Sequence, residues 1–116
     1  IKKMQNNHDI EIQKIEIEEL QDSIVKLDFD HKMSTNALNR KIEYYYKKYE
    51  ITANELEKDN ILDIIEKAKF EITMSERETN REKIRLLIKL EELTLVLENL
   101  KTEHSRLNQV QEGLFD

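Results

Sequence analysis

The 116-residue sequence contains no cysteine, no proline, no tryptophan and a single glycine. Without cysteine there is neither a disulfide framework nor a thiolate-ligated metal site, and the chain fits a reducing compartment. Without proline, and with only Gly113, it lacks the breakers that cut a fold into short elements. One glycine cannot build a glycine-rich phosphate loop, and no H-E-x-x-H or G-x-S-x-G arrangement occurs. Long uncharged apolar runs are missing too. The longest apolar stretch, "LLIKLEELTLVL", is interrupted by Lys89, Glu91 and Glu92, short of the roughly 18 residues a membrane span needs. No membrane span is expected, and no signal-peptide pattern opens the chain.

What is present is charged and apolar side chains in equal measure, 38% each. Glu, Lys, Ile, Leu and Asn dominate, a composition of helix formers without breakers that favours long helices. High charge also suits disorder, but the aliphatic residues recur with a helical period, which argues for folded helices. The net charge of −6 and pI near 5.2 make nucleic acid and anionic membrane poor default partners. Protein is the expected partner, in a homo- or hetero-oligomer. The chain opens on Ile1 rather than Met, so the expectation is one region of a larger intracellular protein, in cytoplasm or nucleus.

Periodicity gives four seams. Ile10, Ile17, Leu20, Ile24 and Leu27 follow the 3-and-4 spacing of a coiled coil. The local alternation in "DIEIQKIEI" mimics a hairpin, but its turn has no Gly or Asn. Extension of the register places His31 and Ser34 at core positions, both weak choices. Leu38, Ile42, Tyr45, Tyr49, Thr52 and Leu56 form the second seam, joined to the first through steps of 3, 4, 4, 3, a stutter that relaxes the supercoil. Ile61, Ile65, Ala68 and Ile72 form the third. It is out of phase with Leu56, which makes Asp59-Asn60 the first candidate for a break, such as a tight turn between antiparallel helices.

The segment "SERETNREK", residues 75–83, has no apolar residue. Ser75 with Glu78 matches a capping box, but the lack of Gly and Pro favours a weak helix over a loop. The last seam is the strongest: Leu86, Leu90, Leu93, Leu97, Leu100, His104 and Leu107. Gly113 in "EGLFD" is read as ending the helix or opening the next element. The expected fold is all-α, an elongated coiled coil, either one long helix with soft points near 31–37, 58–61 and 75–83 or two to three helices. It forms a single coiled-coil region over 1–116.

Two features carry candidate function. "IEYYYKKYEI" sets four tyrosines in ten residues. In register Tyr45 and Tyr49 are core, Tyr46 is rim and only Tyr44 points outward. Arg40, Lys41, Lys47 and Lys48 around them suggest a single-strand nucleic-acid platform, but a bulky core layer in an acidic helix is the simpler reading. The second feature is "IRLLIKLEELTLVLENL", residues 84–100. Leu87 and Val96 flank its seam, and Ile84, Ile88 and Leu95 lie further round. An apolar arc this wide exceeds one seam, so the segment is either a bundle core or a docking site for another protein. "NILDIIEKAKFEI" is a milder copy, widened by Leu62, Ile64 and Phe70.

Chemistry is otherwise sparse. His8, His31 and His104 are isolated, without metal-ligand spacing. "LDFDHKMSTN" opens on D-x-D but has Lys32 and Met33 where a calcium loop needs a ligand and a glycine. Paired carboxylates such as Glu18-Glu19 and Glu91-Glu92 read as solvated faces, because acid–base catalysis needs a pocket that shifts a pKa. No enzyme activity, cofactor or metal is expected. The heptad pattern resembles coiled-coil regions in general, including those of kinetochore, spindle-pole, axonemal and tethering proteins. No motif singles out one of them.

The expected role is that of a scaffold or spacer that oligomerises and docks partner helices, in a cytoskeletal or chromosome-segregation type of assembly. The partner-interface residues are Ile17, Leu20, Ile24, Leu27, Leu38, Ile42, Tyr45, Tyr49, Leu56, Ile61, Ile65, Ile72, Leu86, Leu87, Leu90, Leu93, Val96, Leu97, Leu100 and Leu107. The alternative is a compact antiparallel bundle, folded back at Asp59-Asn60 or near Ser75, that binds a partner helix through residues 84–100.

Overall fold

The computed structural model describes residues 2–115, with side chains described as far as Val110. The protein is all-α. Helix α1 spans Lys2–Ile51 and helix α2 spans Glu55–Phe115. The chain divides into two compact units, one made of Ile1–Val25 with Ile84–Asp116 and the other of Lys26–Lys83. Both units contain a segment of each helix, and in both the two segments run antiparallel as a coiled-coil pair.

A single continuous helix is excluded, and the break is not at Asp59-Asn60. Both of those residues are helical, inside α2. The turn is Thr52–Asn54, centred six to seven residues before Asp59-Asn60. The reason is local hydrogen bonding. The Asn54 side-chain oxygen accepts from the Glu57 backbone N–H at 3.1 Å, and its carbonyl accepts from the Lys58 N–H at 3.0 Å. This is an N-cap, which satisfies a donor that the first helical turn leaves without a partner. Upstream, the Thr52 hydroxyl donates to the Lys48 carbonyl at 2.6 Å and the Thr52 N–H to the Tyr49 carbonyl at 3.3 Å, closing the end of α1. Glu55 and Glu57 occupy the first turn of α2, where acidic side chains complement the helix dipole.

The seams are real but register differs in detail. In α1 the least exposed side chains run through Asn6, Ile10, Gln13, Ile17, Leu20, Ile24, Leu27, His31, Thr35, Leu38, Ile42, Tyr45 and Tyr49. Steps of 3 and 4 alternate except across Leu27, His31 and Thr35, where two steps of 4 follow one another. That is the stutter, and it seats Thr35, not Ser34, at the seam; Ser34 is exposed. In α2 the row is Ile61, Ile65, Ala68, Ile72, Ser75, Thr79, Glu82, Leu86, Leu90, Leu93, Leu97, Leu100, His104 and Leu107. A second stutter falls at Glu82, Leu86 and Leu90. Leu56, placed in the seam on spacing alone, is 71% exposed, because it sits in the first turn of α2 on the far side from Ile61 and Ile65.

The deepest layer is in the Lys26–Lys83 unit. Ile65 is 1% exposed, Ala68 2% and Ile61 5%. Ala68 leaves room for the helices to approach, and the two isoleucines fill the space beside it. The helix is uninterrupted through 31–37 and 75–83, so Ser75 starts no new helix. Gly113 does not end α2, which runs to Phe115; Asp116 lies outside the described residues. Exposed hydroxyls inside the helices serve their own backbone. Ser23, Thr73, Thr94 and Thr102 each donate to the carbonyl four residues earlier, a pattern that removes the need for an outside partner.

Candidate interaction surface

In the Lys26–Lys83 unit the tyrosine cluster divides as the register implies. Tyr45 and Tyr49 are half-buried at the seam, Tyr46 is 41% exposed and Tyr44 60% exposed. Three of the four rings have a lysine placed over them. Lys58 of α2 stands 5.3 Å from the Tyr49 centroid and Lys69 of α2 stands 5.4 Å from that of Tyr46. Lys48 covers Tyr45 at 5.9 Å, and Tyr44 meets Tyr45 edge-on at 5.1 Å. Each ammonium is held by the negative face of a ring. The Lys69 amine is raised above its ordinary value by its hydrogen bond to Tyr46 and by the charge interaction with that group. Tyr46 and Tyr49 thus clasp the second helix and Tyr45 is covered from within α1, which leaves no row of free stacking faces.

The same unit pairs its two polar stretches with each other. His31 Nδ1 lies 3.1 Å from the Ser75 hydroxyl and 3.2 Å from that of Thr79, while Nε2 lies 3.5 Å from Thr35 Oγ1. The residues that weaken "HKMSTN" as a core therefore face those that weaken "SERETNREK". Lys83 donates to both carboxylate oxygens of Asp28, at 3.1 and 2.9 Å. In the sequence the two stretches stand as separate soft points, because nothing in either one shows that the other lies opposite.

In the unit formed by the chain's two ends, two polar side chains sit within the core. Asn6 is 5% and Gln13 8% exposed. Asn6 Nδ2 donates to the Leu100 carbonyl at 3.1 Å, and Gln13 Nε2 donates to the Leu93 carbonyl at 3.1 Å. His104 Nδ1 lies 3.0 Å from Asn6 Oδ1. An amide oxygen only accepts, so the proton is on Nδ1 and the ring donates. Neither amide was singled out from the sequence; the signal available was their heptad position, Asn6 and Gln13 each continuing the Ile10 seam.

The expected interface residues separate into two sets. Ile17, Leu20, Ile24, Leu90, Leu93, Leu97, Leu100, Leu107 and the buried Leu86 line the seam of the terminal unit. Leu27, Leu38, Ile42, Tyr45, Tyr49, Ile61, Ile65 and Ile72 line that of the Lys26–Lys83 unit. In both, the seam of one helix is covered by the other helix of the same chain. Leu56, Leu87 and Val96 are outside it, at 71%, 45% and 46% exposure.

The widened face of residues 84–100 remains open. Ile84, Ile88 and Leu95 are 58%, 53% and 55% exposed and project from the side of α2 turned away from its seam, with Leu87 and Val96 at the flanks. An open groove of about 320 Å³ lies nearby in the same unit, lined by Glu16, Glu19, Leu20, Ser23, Lys89 and Leu93. Among the described residues no group of three or more His, Cys, Asp or Glu is placed to hold a metal ion, and no helix is long and apolar enough to cross a membrane. No family model, curated protein or solved structure matches the chain.

Proposed function

We propose that the protein is a non-catalytic scaffold, an antiparallel helical pair that docks a partner helix on the outer face of α2 between residues 84 and 100. The observation that carries this reading is the second apolar row. The seams are satisfied within the chain, yet Ile84, Ile88 and Leu95 stay exposed at helical spacing on the opposite side. Such a row adds little to the stability of the chain itself, and burial against a partner contributes roughly 25 cal/mol per Å² of apolar area. Glu91 and Glu92 interrupt the row, so the complementary helix carries Lys or Arg at that level. An amphipathic helix laid along such a face is read through side chains three, four and seven residues apart. The scaffold role extends to assemblies of the cytoskeletal or chromosome-segregation kind on the strength of the heptad organisation.

The test is site-specific photo-crosslinking in cells from position 88, compared with the exposed polar position 22 on the outer side of α1. A helical protein captured from position 88, and lost on Leu95→Asp without a change in melting temperature, is the expected result. Equal capture from both positions overturns the reading.

A further inference from the structure

The outer face of α2 in the Lys26–Lys83 unit has a pattern that neither seam explains. Asp63, Phe70 and Arg77 recur at intervals of seven residues, so they share one line along the helix, turned away from Ile61, Ile65, Ala68 and Ile72. Phe70 is 64% exposed and Met74, beside it, 36% exposed. Asp59, Asp63, Arg77 and Arg81 are all exposed, and none of the four has an ion-pair partner among the described residues. The line is thus acidic at one end, carries Phe70 at the centre between exposed Glu66 and Lys67 at its sides, and is basic at the other end.

We infer that this face binds a second copy of the chain, in an antiparallel dimer with Phe70 on the two-fold axis. The inference extends the scaffold reading by naming a partner at a separate stretch of α2. A two-fold operation sets residue i against residue 140 − i. Phe70 then meets Phe70, Asp63 meets Arg77 and Arg77 meets Asp63, and the Asp59 end lies beside the Arg81 end. Every charge on the line finds its opposite, as an isologous interface requires. Parallel pairing of the same faces sets Asp63 against Asp63 and Arg77 against Arg77, which is repulsive. The pattern therefore selects orientation as well as partner. A single helix face is smaller than a standard stable interface, so the dimer is weak and forms at high local concentration, as when the chain is tethered in an array.

The absence of cysteine in the chain makes the test direct. Phe70→Cys, Asp63→Cys and Arg77→Cys are made singly in the full 116-residue chain, with helicity checked by circular dichroism, and oxidised alone or in pairwise mixtures. Expected are a disulfide dimer of Phe70→Cys and a mixed dimer of Asp63→Cys with Arg77→Cys. Asp63→Cys alone gives none, because its two copies lie about 21 Å apart along the axis at 1.5 Å per residue. In sedimentation without added cysteines, Asp63→Arg weakens the dimer at least about tenfold through like-charge contact, and addition of Arg77→Asp to the same chain restores it. A monomer at all concentrations, or preferential linkage of Asp63→Cys to itself, overturns the dimer. Either result leaves docking at residues 84–100 intact, since that is read by crosslinking from position 88 to a different protein.

Discussion

Gln13 Nε2 donates to the main-chain carbonyl of Leu93, 80 residues away in sequence, at 3.1 Å. The carbonyl already serves its own helix, so the bond adds register more than it adds cohesion. Buried polar groups at a seam position are known to fix alignment at a cost in stability. Together with Asn6 and the Leu100 carbonyl, it pins α1 against α2 in the unit formed by the chain's two ends.

Replacement of Gln13 by Ala should therefore destabilise the chain by about 1 kcal/mol, the net worth of one such bond with some lost packing. Gln13→Leu should be neutral or stabilising in urea denaturation, since both the polar group and its need for a partner are removed. A large loss in Gln13→Leu would mean that the hydrogen bond contributes cohesion after all.

The position of the turn gives a second prediction. Asn54→Ala should cost about 0.5–2 kcal/mol through loss of the N-cap, while Asn54→Asp keeps most of it. Asn60→Ala, at an exposed position inside α2, should be neutral or slightly stabilising, because Ala is the better helix former. Thermal melts of the three variants decide between a turn at Thr52–Asn54 and one at Asp59-Asn60.

Core depth gives a third. Ile65→Ala should lose about 2–5 kcal/mol, the transfer term plus the cavity left behind. Leu56→Ala, at an exposed position, should stay within about 0.5 kcal/mol of the parent. Comparable losses at both sites would place Leu56 back in a seam.

The Tyr46–Lys69 contact is testable by titration. Tyr46→Phe removes the hydroxyl that raises Lys69, so the Lys69 midpoint followed by NMR should move down toward its ordinary value. The sign is fixed. A lysine raised in the folded state contributes stability at pH below its unfolded value, and that contribution is lost as pH rises through the raised one. Because the amine is exposed, the change in melting temperature at neutral pH should be small.

The missing breakers and the 3-and-4 spacing of Ile and Leu were enough to determine an all-α chain of coiled-coil type, and to place Tyr45 and Tyr49 at the seam, Tyr46 at the rim and Tyr44 outside. Helical periodicity is a local property, and it survives in any environment that buries one face. The turn at Asn54 was missed: Asn54 with Glu57 three residues on is an N-cap signal, but the stronger irregularity in seam phase points to Asn60. The apolar row of Ile84, Ile88 and Leu95 was visible as excess width; whether it stayed open was not. That depended on which helix covers which seam, and tertiary structure alone decides it. Ser75 and Thr79 read as a weak point until His31 is found 3.1 and 3.2 Å away, and Asn6 and Gln13 read as poor core residues until carbonyls of α2 meet them. A sequence lists the polar groups that need partners. Only the packed helices supply those partners, because hydrogen bonds act over about 3 Å while the residues that make them here are 44 to 98 positions apart.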